Sequence, residues 1–235
     1  MGSSLPGIKP RAAFVAALLA GLLPVVAVPA TASAASDPIT VTGKLQPVAP
    51  NVFGTIALPA TISRYSDGWF RSRVDASRHP AMLRLIAPAT GLSRDQQVAY
   101  IQSAVTQRIR WMSDATEWGA HDYWASAAQT LEHGAGDMED RAIVKLQALK
   151  ALGVPSRDLY LTMGRDKVGG QITVLVVRLG QRFLVLDDTG GAPFSADHRP
   201  EFQPMLTLGA NRSWIHGKRV AIASRAAVVG ASGAR

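Results

Sequence analysis

GAGDMEDRAIVK, residues 134–145, is the stretch on which the reading of the chain turns. Gly134 and Gly136 bracket Ala135, Asp137 follows as a helix-capping residue, and Asp140 adds an acid three positions on. Ile143, Leu146, Leu149 and Leu152 then recur at helical spacing up to Gly153, with Pro155 just beyond. A polar cap, an apolar stripe and a glycine exit before proline predict one helix, N-capped by Asp137 and ending at Gly153. The side chain presented at its start is Met138. A helix N-terminus gathers unpaired N–H groups and a partial positive charge, the setting that stabilises a thiolate. The chain holds a thioether there instead.

The neighbouring segments supply the rest of the fold class. Upstream, Ser93 and Gln96 form a capping-box pattern and Val98, Ile101, Val105 and Ile109 repeat at helical spacing, which predicts a helix over about 93–112. Between the helices lies a polar, aromatic-bearing connection with a short helix expected near Ala125 to His133. Downstream the period changes. Leu159 to Met163, Ile172 to Arg178 and Arg182 to Asp187 are rich in Val, Leu, Ile and Phe, and Leu179-Gly180-Gln181 makes a tight turn between the last two. A further strand is expected near Trp214 to Ile222. Helices first and strands afterwards predict an α+β fold with helices packed on one face of an antiparallel sheet.

The N-terminal residues are not core. Lys9 and Arg11 precede an apolar run from Ala12 to Ala30, and Ala32-Ser33-Ala34 fits a signal-peptidase site, so 1–34 reads as a cleaved secretory signal. Residues 35–92, mixing proline, glycine and isolated apolar residues, read as an extended lead-in; 93–223 as the α+β core; 224–235 as a flexible tail. The chain has 25 Lys plus Arg and 17 Asp plus Glu, and loss of Lys9 and Arg11 leaves 23 against 17, a net of +6. The basic residues are scattered singly with no interleaved aromatics, which argues against nucleic acid. With no cysteine, the chain has neither disulfide nor thiol.

DYWA at 122–125, GDMED with Ala142 and Lys145 at 136–145, the LGVP helix exit ending at Pro155, VLVVR at 174–178 and VLDD at 185–188 together resemble the bacterial transglutaminase-like cysteine peptidases, exported proteins of papain-like topology. The resemblance runs from Asn51 to about His216. It implies a papain/transglutaminase-like α+β fold, with Met138 where the family has its cysteine, Ile172 where it has its histidine, and Asp187 where it has its aspartate. A one-residue slip would bring Gln171 to the histidine position. The family's P-x-E ahead of the motif is altered too, reading Ala127-Ala128-Gln129.

A thioether has no dissociable proton, and isoleucine neither accepts nor donates one. Where nucleophile and base act as a unit, losing either costs on the order of 10⁶ in kcat. The expectation is therefore a catalytically inactive homologue, requiring no cofactor for chemistry. Asp187 reads either as a relic of the catalytic set or as a turn-former beside Asp188. Asp137, Glu139 and Asp140 read as helix-capping acids or, since some family members depend on calcium, as a Ca²⁺ site completed by Asp122 or loop carbonyls. The five histidines show no metal-ligand spacing, and His133 near Ser126 or Thr130 is the one alternative pairing of base and hydroxyl. Trp118, Tyr123 and Trp124, with Gln171, are the candidate groove, since aromatic walls left by a lost protease still suit a peptide. In active relatives the substrate is a large envelope or adhesin protein, cut under control of a membrane receptor. The expected partners are accordingly an envelope protein or peptide, or such a receptor, met by a mature form that does not span the membrane, in the periplasm or outside the cell. A hydrolase or acyl transferase with another nucleophile and a purely structural envelope protein are the alternatives.

Overall fold

The capping signals set the helices. The structure, a computed structural model, describes residues 48–61, 65–198 and 201–218. Helix α3 (Arg94–Arg108) starts on Ser93, whose side chain accepts from the Gln96 N–H while the Gln96 side chain returns to the Ser93 N–H, as the sequence pattern requires. Helix α5 (Ala127–His133) repeats the device with Ser126 and Gln129 and ends on Gly134 in the left-handed region. Helix α6 (Met138–Ala151) is capped by Asp137 and exits through Gly153 at φ +88°. Three short helices, α1 (Ser66–Ser72), α2 (Pro80–Ile86) and α4 (Asp114–Glu117), complete the set.

A seven-stranded sheet in the order β1-β9-β8-β4-β5-β6-β7 stands against them, every pairing antiparallel. Its strands are β1 (Ile56–Ala60), β4 (Leu159–Arg165), β5 (Gln171–Leu179), β6 (Arg182–Leu186), β7 (Phe194–Ser195), β8 (Gln203–Leu208) and β9 (Ser213–Gly217). A separate parallel pair joins β2 (Arg110–Trp111) to β3 (Ala135–Gly136) and so ties the exit of α3 to the entry of α6. The α+β class is as expected. The stretch 48–92 is more structured than an extended lead-in: it supplies an edge strand paired with β9 and two helices. The signal segment 1–34 and the tail 224–235 lie outside the described residues. Among the described residues no helix is long and apolar enough to cross a membrane.

Two apolar layers hold the sheet. On one face Leu161, Leu175, Val177 and Leu186 pack with Ile143 and Leu149 of α6 and Ile101 and Val105 of α3. On the other, Tyr160, Val174, Val176 and Trp214 pack with Val52 and Phe202 from the flanking segments. The alternation along β5 therefore sends odd-numbered residues toward α6 and even-numbered ones away from it. Helix α6 is buried on every face rather than along one stripe, with Arg141, Lys145 and Gln147 all under 6% exposed. Each makes a hydrogen bond: Arg141 Nη2 to the Thr106 carbonyl at 2.9 Å, Lys145 Nζ to the Asp187 carbonyl at 2.5 Å, and Gln147 Nε2 to the Ser72 carbonyl at 2.8 Å.

Candidate functional site at the start of helix α6

The N-cap fixes the site. Asp137 Oδ1 accepts the N–H groups of Glu139 (3.0 Å) and Asp140 (3.2 Å), which leaves Met138 half-buried at the first helical position. Gly136 makes the approach possible, since a Cβ there would lie 2.8 Å from the Asp140 Cβ. The three acids of the motif then diverge. Glu139 turns to the sheet, where its Oε1 accepts from Thr173 Oγ1 at 2.7 Å and from Gln171 Nε2 at 3.3 Å. Asp140, fully buried, accepts the Ala125 N–H at 2.8 Å. One carboxylate oxygen from each of Asp114, Asp137 and Asp140 lies within 4.8 Å of the others.

That cluster is electrostatically incomplete. Burial raises the Asp140 carboxyl to about 7, and burial together with neighbouring Glu139 and Asp140 raises Asp137 to about 9. Burial likewise raises Asp114, against the Tyr123 N–H that its Oδ2 accepts at 2.6 Å. Asp114 Oδ1 and Asp140 Oδ2 are buried with no hydrogen-bond partner. Hard oxygen ligands with unfilled lone pairs in a buried acidic cluster fit Ca²⁺, which takes six to eight oxygens and would recruit carbonyls or waters for the remainder. The sequence motif offers Asp137, Glu139 and Asp140; the cluster in the fold keeps the two aspartates and takes Asp114 from α4, while Glu139 is engaged by β5 and Asp122 is exposed. Asp114 lies 23 positions before Asp137, and no local pattern announces it.

The three positions that the resemblance assigns to a catalytic set lie in different surroundings. Ile172 packs on the far layer with Val174 and Val176, whereas Gln171 and Thr173 face α6. The register of β5 thus turns Ile172, the position the resemblance gives to the histidine, away from α6: a residue's parity decides its face. Asp187 is buried after β6, where its Oδ1 accepts the Thr189 N–H (3.1 Å), Thr189 Oγ1 (2.8 Å) and Gln102 Nε2 (3.3 Å), the bonding of a turn-forming aspartate tied to α3. Its neighbour Asp188 pairs with Arg141 at 2.6 Å.

Of the aromatic residues, Trp118 stacks on His133 (4.6 Å) and tilts against Tyr123 (4.8 Å), half-buried beside the acidic cluster. Trp124 is core, 3% exposed and stacked on Tyr65. A cavity of about 410 Å³ lies farther along the sheet face, lined by Tyr65, Met163, Arg165, Gln171, Leu206 and Ile215. Gln171 is the link, since it lines this groove and bonds the residue next to Met138. The alternative hydroxyls are occupied: Ser126 caps α5, Thr130 donates to the Ser126 carbonyl, and His133 pairs with Glu117 at 3.2 Å.

Known proteins share the fold that carries this site. A family model described as bacterial transglutaminase-like cysteine proteinase matches residues 82–192. Among solved structures the chain is similar to Legionella pneumophila LapG, at 27% identity and a TM-score of 0.51 over 67% of this chain and 90% of that one. Similarity to the calcium-bound form of LapG is 25% identity and a TM-score of 0.52, over 66% of this chain and 88% of that one. No curated protein is significantly similar in sequence. Over residues 82–192 the chain matches the bacterial transglutaminase-like cysteine proteinase family, and it shares the α+β architecture of LapG.

Proposed function

We propose that this protein is an exported, catalytically inactive member of its family that binds calcium at Asp114, Asp137 and Asp140 and holds an envelope protein or peptide along the groove beside Gln171. The observation that carries the reading is the start of α6: a helix N-terminus built for a nucleophile presents the Met138 thioether in a chain with no cysteine. Without a thiol no thiolate forms, and the even-numbered Ile172 is turned away from the helix. What survives is a shape. The groove offers apolar Met163, Leu206 and Ile215 flanked by Arg165 and Gln171, the composition that suits an extended peptide.

The calcium part is supported by the two partnerless buried carboxylate oxygens and by the likeness to a calcium-bound LapG. A ligand of the native state must stabilise it, by about 2.7 kcal/mol at a hundredfold excess over Kd. Calcium is expected to raise the melting temperature, with magnesium giving a smaller shift. Asp140→Asn is expected to melt no lower than the parent in EGTA at pH 8, because a buried carboxylate is removed, and to lose the calcium response. A calcium response retained in that variant would remove Asp140 from the site. Incubation with a peptide library is expected to yield no cleavage; turnover lost in Met138→Ala would overturn the inactive reading.

A further inference from the structure

A second concavity lies at the opposite end of α6 from Met138. Its main part, about 690 Å³, is framed by Pro59 and Ala60 at the end of β1, by the β8–β9 turn, and by Trp69 and Arg73 of the α1 region. A smaller hollow of about 110 Å³ shares Trp69, Arg73 and Ala210 with it and continues along α6 to Gln147 and Lys150. The charged residues lining the two are Arg73, Arg212 and Lys150, and neither lining includes an acid. Asp75 acts on Lys150 from outside, but its carboxylate is engaged by the N–H and hydroxyl of Ser77. Among the described residues neither Arg73 nor Lys150 belongs to a salt bridge.

The second observation is a polar one. Gln147 is 2% exposed and its Nε2 donates to the Ser72 carbonyl, yet its Oε1 is buried without a donor. A buried acceptor left unmatched costs free energy that a hydroxyl arriving in the hollow would recover. Trp69, half-buried at the junction of the two parts, adds an indole surface. The ligand these features fit carries negative charge for the cations, hydroxyl donors for Gln147 and an apolar ring face for Trp69. Inorganic phosphate supplies charge and a hydroxyl donor but no ring face. An acidic peptide spreads charge, donor and ring over different residues, whereas each uronic acid unit of a saccharide carries a carboxylate, hydroxyls and a ring face together.

We propose that this groove binds an acidic saccharide, by its carboxylates on Arg73, Lys150 and Arg212, a hydroxyl on Gln147 and a pyranose face on Trp69. The test is titration of the full mature chain in EGTA with tetragalacturonate, followed by tryptophan fluorescence and calorimetry, with maltotetraose, tetraglutamate and inorganic phosphate as comparisons. Tetragalacturonate is expected to saturate the signal where the other three do not, with affinity falling as salt rises. Loss of one charge-assisted contact in Arg73→Ala or Lys150→Ala is expected to weaken binding about tenfold or more. Arg73 is exposed, so its variant isolates the contact from folding. No saturation by tetragalacturonate, an equal response to maltotetraose, or undiminished affinity in Arg73→Ala overturns the proposal. Saturation by tetraglutamate or phosphate at the same concentration overturns the saccharide assignment.

Discussion

At the scale of single residues, Met138 decides what chemistry is absent, and its neighbours decide what a replacement would do. A thiol introduced by Met138→Cys would meet two opposed influences: the N–H groups of the first turn of α6 favour its thiolate, while Asp137, Glu139 and Asp140 oppose it. Calcium at the acidic cluster would cancel much of the opposition. The Met138→Cys protein is therefore expected to react with iodoacetamide faster in calcium than in EGTA at pH 7, while still cleaving no peptide for want of a base. Peptide cleavage by this single variant would show that another group serves as base. Glu139 illustrates the same dependence on neighbours, since a residue counted by sequence among the calcium ligands is held by Thr173 and Gln171.

At the scale of elements, the β4–β8 pairing sets the mouth of the groove. Its register shifts between Met163 and Gly164, and a Cβ on Gly164 would lie 2.3 Å from the Gln203 carbonyl oxygen and 2.8 Å from the Phe202 ring. Backbone has nowhere to go at that distance, so strand separation is the only relief. Gly164→Ala is expected to lower stability by about 1–3 kcal/mol, read as a lower urea midpoint. An unchanged midpoint would mean the strands part at no cost. The caps are more modest devices: Ser93→Ala removes one capping box of α3 and is expected to cost about 1 kcal/mol in the same measurement.

At the scale of the whole molecule, stability depends on pH with two opposed slopes. Asp137 and Asp140 have folded pKa values raised above their unfolded ones, so the folded protein without calcium holds extra protons and loses stability as pH climbs from about 4 through about 7 and toward 9. His216 acts in the other direction. Its ring sits between Thr55 Oγ1 (2.7 Å) and Thr207 Oγ1 (2.8 Å), and burial lowers its pKa to about 4, so the unfolded chain takes up the proton first and stability falls as pH drops from about 6.5 to 4. Melting temperature against pH in EGTA is expected to show an alkaline decline that calcium abolishes and an acid decline that calcium leaves in place. His216→Gln is expected to flatten the acid limb alone. An alkaline limb that calcium does not touch would separate those aspartates from the metal.

The sequence by itself determined the elements whose signals are local: the Ser93 capping box, the Asp137 cap, the Gly153 exit and the β5–β6 hairpin depend on residues within a few positions of one another. It determined the absence of thiol chemistry as well, because that is a matter of composition. What only the tertiary structure decided depends on parity and distance along the chain. The face of Ile172 follows from the pairing of β5, and the third carboxylate, Asp114, comes from a separate helix. The burial of Arg141, Lys145 and Gln147 follows from α3, the α1 region and the β6 exit closing around a helix whose sequence carries only one apolar stripe. Local interactions shape a segment, but which polar groups lose water is fixed by segments that arrive from far along the chain, and no local pattern encodes their arrival.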